Sequence, residues 1–308
     1  MTNWARRDKI KTNEYGEDFT VKKISTEINS IAKIVGDERA VEYVAKAGFD
    51  AFDFSMFGMG KYDWKNKCFV PTDHPLARPD YLSFARRIKQ VGLDNGIKCN
   101  QSHAPFPVIC PEIRGMLKKA IECTAEAGGE ICIIHPDAYS NAEENAEMYF
   151  ELLPFAKACG VKIATENMWD WDRVNDHAAK AACSHHDDFL AHIKAVNDLY
   201  LVACLDIGHA EMRGLDTDAP TMIRTLGDSL AALHIHDNDR WKDSHGLPFT
   251  MQIDFDSVVK ALKEINYKGD FTLEADTYLR NHTVENVFEG VLEMSRAARR
   301  LTEMYENA

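Results

Sequence analysis

The segment LHIHDNDRWKDSHG, residues 233–246, places histidine and aspartate side chains at the end of the apolar stretch SLAAL. Its imidazole and carboxylate groups are His234, His236, His245, Asp237, Asp239 and Asp243. Nitrogen and oxygen donors without thiolates favour Mn²⁺, Mg²⁺, Co²⁺ or Zn²⁺ and argue against a thiolate-rich structural zinc site. The segment therefore predicts a metal site at the end of a buried strand.

From the third predicted strand to the eighth, each strand ends in a residue type that binds metals. The terminal residues are His103, His135, Glu166, Asp206, His234 with His236, and Glu274. One such residue alone is more often a helix N-cap or a hydrogen-bonded core group. Several carboxylates and imidazoles at one place are electrostatically costly without a counter-charge, which a divalent cation supplies. We therefore expect a metal centre where these strands end.

Eight short apolar runs alternate with amphipathic stretches along the chain. The predicted strands are 20–26, 51–56, 97–103, 131–135, 161–166, 201–206, 230–236 and 270–274. Several stretches between them have apolar residues three and four apart and close on a glycine, as helices do. This rhythm predicts an α/β protein with a (β/α)₈ TIM barrel. The alternative is an open doubly wound sheet, but no GxGxxG motif follows the first strand.

Residue alternation predicts that the terminal polar groups face the inside of the barrel. Asp206 shares a strand face with Cys204, and Glu274 shares one with Thr272. Side chains two residues apart lie on the same side of a strand, so both histidines of HIH also point inward. TIM-barrel enzymes have their active sites at the carboxyl ends of the strands. We therefore expect the functional site there.

Chain length and composition fit one globular domain. The chain has 308 residues, of which 45% are hydrophobic, and TIM barrels of this size fold as single domains. We see no interdomain linker or low-complexity segment. We expect one domain over 1–308, with the barrel core over about 20–300 and an N-terminal extension over 1–19.

Charge and cysteine usage exclude some classes of partner. Lys and Arg total 36 against 49 Asp and Glu, a net charge of −13, whereas nucleic acids and anionic membranes attract basic surfaces. The eight cysteines form no CxxC pair, so we expect reduced thiols in a cytoplasmic protein. No apolar N-terminal region or run of about 18 apolar residues occurs, and we expect no signal peptide or membrane span.

Seven short motifs give the chain a family resemblance. They are HAPFP, IIHP, ATEN, LDIGHAEMRG, LHIHDND, DSHGLP and GDFTLEAD, within a span from FDAFDFSM to FTLEAD that covers most of the chain. Each motif is weak alone, but their order and their positions at strand ends are specific. The chain resembles the sugar phosphate isomerase/epimerase family of the xylose-isomerase-like TIM barrel superfamily, which includes the branch of type-IV apurinic endonucleases (AP endonuclease family 2).

The resemblance implies a metal site and a reaction. The family's metal ligands match Glu166, Asp206, His234 and Glu274. In ketose 3-epimerases of this group the two glutamates are also the acid/base pair. The implied reaction is isomerisation or epimerisation of a sugar, sugar phosphate or cyclitol by proton abstraction next to a carbonyl, through a metal-stabilised enediolate. The resemblance also implies a homo-oligomer, a dimer or a tetramer.

Further positions match substrate contacts of the epimerases. His209 resembles their substrate-contacting histidine, and Arg240 resembles the arginine that holds sugar hydroxyls. Asp172 stands where they have a glutamate, so that match is of charge only. The acidic segment ENMWDWD, with Trp169 and Trp171, suits a lid over a sugar ring. Plain loop packing is the alternative for the tryptophans.

The endonuclease branch leaves the number of ions open. It binds three zinc ions, and its additional ligands match His103, His135, His209, Asp243 and His245. The segment after strand five lacks the small Ala/Gly-rich continuation of that branch. We therefore expect one divalent ion, with up to three as the alternative. We assign His236, Asp237 and Asp239 to contacts behind the ligands or to loop capping.

Three other functions remain open beside the isomerase. One is a dehydratase or β-eliminating lyase that uses the same enediolate, for example on a keto-inositol. Another is a zinc phosphodiesterase on abasic DNA, which the negative net charge disfavours. The third is a sugar-binding module without catalysis, which the retention of all four matched ligands disfavours. After the last strand Arg280 occurs without a glycine-rich phosphate turn, so we favour a non-phosphorylated substrate.

Overall fold

The computed structural model of the chain describes residues 10–12, 18–20 and 22–308. In this part, eight parallel strands surround one axis. They are β1 (Ile24–Thr26), β2 (Ala51–Ser55), β3 (Lys98–His103), β4 (Ile131–Ile133), β5 (Lys162–Glu166), β6 (Leu201–Asp206), β7 (Leu230–His234) and β8 (Phe271–Leu273). Strands β2 to β7 lie side by side in chain order, and β8 pairs with β1.

Backbone hydrogen bonds close the two sheets into one barrel. The amide of Ile235 donates to the carbonyl of Thr272 at 2.9 Å, which joins β7 to β8. The amide of Asp50 donates to the carbonyl of Ile24 at 3.0 Å, which joins β1 to β2. The predicted TIM barrel is therefore confirmed, and the open sheet is excluded.

The N-terminal part differs from the predicted boundaries. The strand expected over 20–26 begins at Ile24. Inside the expected extension 1–19, Ile10–Thr12 pairs antiparallel with Asp18–Thr20. Residues 1–9, 13–17 and 21 lie outside the described part, so the single domain over 1–308 stays a prediction.

Amphipathic helices follow the strands and cover the barrel. In the described residues they are α1 (Asn29–Val35), α2 (Asp37–Lys46), α3 (Tyr81–Asp94), α4 (Ile113–Ala127), α5 (Ala142–Cys159), α6 (His186–Val196), α7 (Ile207–Ala210), α8 (Ala219–Leu226), α9 (Phe255–Glu264) and α10 (Val287–Asn307). A capping box of Asn141 and Glu144 starts α5, and Gly160 ends it with φ +69°. Reciprocal side-chain and backbone bonds of this kind satisfy the free amides of the first turn.

The barrel interior has an apolar half and a polar half. Strands β4 to β7 contribute a small apolar cluster of Ile133, Ala164, Val202, Cys204 and Ala232. Strands β1, β2, β3 and β8 contribute a hydrogen-bonded chain of Ser25, Asn100, Thr272, Gln101 and Asp53. The main hydrophobic core lies between the strands and the helices and includes Leu201, Ala203 and Leu205. The predicted alternation of β6 is confirmed.

Two long connections carry hairpins at the carboxyl ends of the strands. Lys61–Asp63 pairs with Cys68–Val70 after β2, and Asp170–Asp172 pairs with His177–Ala179 after β5. Short 3₁₀ turns lie at Phe57–Met59, Pro75–Ala77, Gly227–Ser229 and Tyr278–Asn281. These connections surround the mouth of the barrel, where TIM-barrel enzymes place their active sites.

The cysteine thiols are free in the described part of the chain. All eight cysteines lie within residues 22–308 and are unpaired, and six of them are buried. Throughout the described ranges, no helix has the length and apolar character needed to cross a membrane.

Candidate metal centre

Ten side chains from the strand ends and the following loops meet at the mouth in two adjoining groups. The Glu166 group consists of His103, His135, Glu166, His234 and Glu274. The Asp206 group consists of Asp206, His209, His236, Asp243 and His245. The groups adjoin where His245 Nδ1 lies 4.0 Å from Glu274 Oε2. All residues predicted from the strand ends thus come together.

Glu166 is the centre of its group. Its Oε1 lies 2.7 Å from His234 Nδ1, and its Oε2 lies 3.0 Å from His135 Nε2 and 3.4 Å from His103 Nε2. His234 Nδ1 also lies 3.3 Å from Glu274 Oε2. The side chain of Glu274 is 14% exposed and those of Glu166 and His234 at most 1%, so Glu274 faces the opening.

The Asp206 group surrounds a second point. His236 Nε2 lies 3.1 Å from Asp206 Oδ1 and 3.5 Å from Asp243 Oδ1. The other oxygen of Asp243, Oδ2, lies 3.2 Å from His209 Nε2 and 3.1 Å from His245 Nε2. One ligand atom from each of His209, His236, Asp243 and His245 lies within 4.8 Å of the others, a separation that suits ligands of one ion.

The backbone fixes the direction of four imidazole rings. In each of them, Nδ1 lies 2.8 to 3.3 Å from a main-chain oxygen. The pairs are His103 with Ala104, His209 with Asn167, His236 with Asp237, and His245 with Glu274. A ring that donates Nδ1–H to a carbonyl presents the lone pair of Nε2, as metal-ligating histidines do. These lone pairs face carboxylate oxygens, and either a proton on Nε2 or a cation between the two groups removes their mutual repulsion.

Three buried atoms of the Asp206 group lack hydrogen bonds. Within residues 22–308, Asp206 Oδ2, His236 Nε2 and Asp243 Oδ1 have no hydrogen-bond partner. Buried polar atoms are nearly always satisfied, because leaving them unpaired costs free energy. Unpaired carboxylate oxygens beside an imidazole lone pair fit a divalent cation with a nitrogen and oxygen shell. The residues present therefore suit a metal.

The carboxylates and imidazoles perturb one another strongly. Burial would raise the pKa of Asp206, but His209 and His236 lower it to about 2. Burial would lower the pKa of His209, but Asp206 and Asp243 raise it to about 10. At His135, burial lowers the pKa to about 4, because the hydrogen bond to Glu166 offsets the effect of burial only in part. Positively and negatively charged side chains are thus held together in a buried site.

The environments of the two glutamates push their pKa values apart. Burial would raise the pKa of Glu166, but His234, His103 and His135 hold it well below its usual range. Burial raises the pKa of Glu274 to about 7, and Glu166 adds to that effect. Two neighbouring carboxyl groups with different pKa values are characteristic of acid/base sites.

The other residues matched to substrate contacts lie around the mouth. Arg240 Nη2 lies 3.2 Å from Glu211 Oε2. Asp172 caps its own hairpin by accepting hydrogen bonds from the amides of Val174 and Asn175. In these positions Arg240 and Asp172 contact loop residues.

The tryptophans differ in what they contact. Trp169 Nε1 donates to Asp243 Oδ2 at 3.3 Å, which connects the hairpin after β5 to the Asp206 group. Both Trp169 and Trp171 pack on a small cluster of Ala178, Met212 and Leu215. Loop packing thus accounts for Trp171, while Trp169 also touches the candidate site.

Sequence reasoning missed two residues at or below the mouth, Asp53 and Phe106, and gave a third, His236, only a supporting role. Asp53 in β2 lies 3.2 Å from His234 Nε2, and its position between two helix-facing phenylalanines was the available signal. Phe106 is 42% exposed and stacks on His135 with ring centroids 4.8 Å apart. His236, assigned from sequence to a supporting position, lies inside the Asp206 group, and its role as a ligand is a proposal.

Two curated proteins are similar to part of the chain. An uncharacterised protein of Methanocaldococcus jannaschii is 27% identical over 190 residues, which is 56% of this chain and 62% of that protein. An uncharacterised protein of Sinorhizobium fredii is 27% identical over 175 residues, which is 52% of this chain and 51% of that protein. The chain thus spans about half to three fifths of the length of these relatives.

Solved structures share the fold at low sequence identity. A D-tagatose 3-epimerase-like protein superposes with a TM-score of 0.67 at 18% identity, over 92% of this chain and 98% of its own. The 3-keto-D-glucoside 4-epimerase of E. coli gives 0.64 at 15% identity, over 89% and 99%. The IOLI protein with a bound zinc atom gives 0.65 at 16%, over 92% and 98%.

A family model confirms the resemblance seen in the motifs. The model described as xylose isomerase-like TIM barrel matches residues 41–298, which include every barrel strand but the first. The chain belongs to the xylose isomerase-like TIM barrel family.

Proposed function

We propose that the chain is a divalent-metal-dependent isomerase or epimerase of a sugar, sugar phosphate or cyclitol. The observation that carries this proposal is the pair Glu166 and Glu274, whose oxygens lie 2.7 and 3.3 Å from the same nitrogen of His234. The two glutamates come from β5 and the end of β8, which lie apart around the ring. The epimerases among the similar structures support this activity class, and the zinc atom bound to the IOLI protein supports a divalent metal.

The proposed metal ligands are Glu166, Asp206, His234 and Glu274. Asp206 lies with the second group, but its Oδ2 makes no hydrogen bond to any described residue and can complete the set. A bound divalent ion would supply Lewis-acid stabilisation of negative charge that develops on the substrate. We propose one ion for this reaction and name Mn²⁺, Zn²⁺, Co²⁺ and Mg²⁺ as candidates.

Glu274 is the better placed of the two glutamates to move a proton. It faces the opening at 14% exposure, and burial raises its pKa to about 7 before an ion binds, so of the two glutamates it is the one that more readily holds a proton. Glu166 stays ionised beside three histidines and lies at 1% exposure. We propose Glu274 as the residue that exchanges a proton with the substrate carbon, with Glu166 as its partner on the other side.

Aromatic side chains around the mouth can hold a sugar. Phe106 packs over His135, and the ring of Trp169 lies 6.4 Å from that of His209. Aromatic faces pack against the apolar C–H faces of sugar rings and exclude water. We propose that these two rings contact the substrate, that Arg240 contacts its hydroxyls, and that the protein forms a homo-oligomer.

Isotope exchange tests the proposed reaction class. Metal-loaded protein is incubated in D₂O with ketoses, aldoses, their phosphates and inosose, and the products are analysed by NMR and mass spectrometry. An isomerase or epimerase places deuterium on the carbon next to the carbonyl. Loss of water from the substrate would identify the dehydratase instead, and no exchange with any compound would reject the proposal.

Substitution of the glutamates tests their roles. Glu166→Gln and Glu274→Gln should each lower turnover by at least about 10³-fold, because each removes an acid/base group. Their circular dichroism spectra should match the wild type. Glu27→Gln is the control, since Glu27 is also buried at this end of the barrel but accepts hydrogen bonds only from Ser30 within the described chain. Near-normal turnover by Glu274→Gln would contradict the assignment.

The Asp206 group favours one second candidate, a zinc phosphodiesterase on abasic DNA. His209, Asp243 and His245 match the additional ligands of the endonuclease branch, and they converge in the structure. Elemental analysis would then find three zinc ions per chain, and the protein would cleave an abasic duplex. One ion per chain without cleavage would remove this candidate.

A further inference from the structure

Asp53 is a carboxylate inside the barrel and outside both ligand groups. Its side chain is fully buried, and Phe52 and Phe54 on either side pack into the core beneath the helices, so Asp53 faces the barrel axis. Its Oδ2 lies 3.2 Å from His234 Nε2 and accepts a 2.9 Å hydrogen bond from Gln101 Nε2. Its Oδ1 has no hydrogen-bond partner in the described chain.

His234 is held differently from the four histidines that use backbone carbonyls. Its Nδ1, rather than its Nε2, faces the carboxylates of Glu166 and Glu274. Its Nε2 faces the carboxylate of Asp53. Asp53 therefore occupies the position that a main-chain oxygen occupies for the other rings. A carboxylate there accepts the Nε2 proton, fixes the ring plane and makes Nδ1 a stronger donor to a cation.

A hydrogen-bonded chain across the barrel orients Asp53. Asn100 Nδ2 donates to Thr272 Oγ1 at 3.1 Å, so the Thr272 hydroxyl can donate to Gln101 Oε1 at 3.3 Å. This contact fixes the Gln101 amide with its nitrogen toward Asp53. The chain begins at Ser25, whose hydroxyl donates to Asn100 Oδ1 at 2.8 Å.

A bulge in the sheet makes this arrangement. Strand β2 pairs Phe52 with Cys99 but Asp53 with Gln101, so Asn100 is an extra residue in β3. Bulges redirect side chains next to functional sites. Here the bulge lets Asn100 and Gln101 both reach interior partners.

We propose that Asp53 is a positioning residue that holds His234 with its proton on Nε2 and its Nδ1 lone pair toward the metal site. This inference rests on the proposed function only in taking His234 as a metal ligand. Its test needs no substrate, so the result can be interpreted whether or not the protein converts a sugar.

The experiment measures Mn²⁺ affinity by calorimetric titration of the purified full chain. Asp53→Ala removes the acceptor and should weaken Mn²⁺ binding about 10–100-fold, the usual effect of losing a residue behind a ligand. Asp53→Asn keeps an acceptor without its charge and should lie between wild type and Asp53→Ala. Should Asp53→Ala not fold, the loss in Asp53→Asn decides the question.

A proton resonance separates positioning from general stability. In Zn²⁺-loaded wild type, selective ¹⁵N-histidine labelling should show a slowly exchanging, downfield Nε2 proton for His234, as expected for donation to a carboxylate. This resonance should be shifted upfield or lost in Asp53→Ala.

Thr124→Ala is the matched control, because Thr124 is equally buried and its hydroxyl bonds to Ser102 and Ala120, outside the chain that orients Asp53. It should bind Mn²⁺ within about twofold of the wild type and keep the His234 resonance. Wild-type affinity in Asp53→Ala, or in Asp53→Asn where the alanine variant does not fold, would overturn the proposal. An equal loss in Thr124→Ala would also overturn it.

Discussion

Individual histidines at the mouth hold protons that compete with a metal ion. Burial would lower the pKa of His209, but Asp206 and Asp243 raise it to about 10. The pKa values of His234 and His245 are likewise held well above the usual range, against the effect of burial. At neutral pH these rings are protonated when no ion is bound, and a ligand nitrogen must lose its proton to bind.

Metal affinity should therefore rise with pH. Between pH 6 and 8 we expect about a tenfold gain in apparent affinity per pH unit for each proton displaced. The gain should continue toward pH 10, where His209 loses its proton without metal. Calorimetric Mn²⁺ titrations in buffers of different ionisation enthalpy count the protons released. Affinity that is independent of pH would show that these histidines are not ligands.

The convergence of the predicted residues at one mouth follows from the sequence, but their division into two groups does not. His103, Glu166 and Asp206 each end a strand. Because side chains along a strand point alternately to its two faces, the sequence shows which strand-end residues point inward and therefore meet at the mouth. Which side chains share one point depends on the offset between strands around the ring. That offset shifts at the bulges near Asn100 and Ala231, which leave no sequence signal.

At the level of elements, the short helix α7 lies unusually close to strand β7. A Cβ atom on Gly208 in α7 would lie 1.9 Å from His236 Cε1 and 2.3 Å from His236 Nε2. Only a residue without a side chain lets this helix start directly after β6 and keep His236 inside the Asp206 group.

Gly208→Ala should displace His236 and loosen this group. We expect a loss of about 1–3 kcal/mol in the free energy of unfolding, the usual cost of overpacking, measured by urea denaturation with chelator present. Gly115→Ala is the control, because Gly115 lies in α4 with nothing within 4 Å of an added Cβ. It should gain about 0.5–1 kcal/mol. Equal stability of Gly208→Ala and wild type would contradict the close contact.

The predicted strand boundaries agree with the structure where the apolar pattern of the sequence is strong. Strand β6 begins and ends at the predicted residues, and β2, β3 and β5 differ from prediction by one residue at one end. The hairpins after β2 and β5 could not be predicted, because their strands are three residues long and their burial depends on loop packing.

At the level of the whole molecule, an ion bound at the mouth would connect β5, β7 and β8, strands that span almost half of the barrel. Glu166 in β5 and Glu274 after β8 approach the same nitrogen of His234 in β7. Both glutamates belong to the acidic excess that gives the chain its net charge of −13. An ion that binds only the folded state therefore stabilises the closed ring as well as the site.

Removing bound metal ions should lower the midpoint of thermal unfolding by an amount that depends on the number of ions removed. At a free metal concentration of 100 times Kd, each site contributes about 2.7 kcal/mol. With an unfolding entropy of about 2.1 cal/mol/K per residue, this corresponds to about 4 °C for a chain of this length. Calorimetric scans of metal-loaded and chelator-treated protein should differ by about 4 °C if one ion binds at the four proposed ligands, and by about 8 °C if a second ion binds at His209, His236, Asp243 and His245. Asp243→Asn should abolish the second increment alone, since Asp243 contacts only the Asp206 group among the metal-binding side chains described. Identical midpoints with and without chelator would contradict metal binding at the mouth.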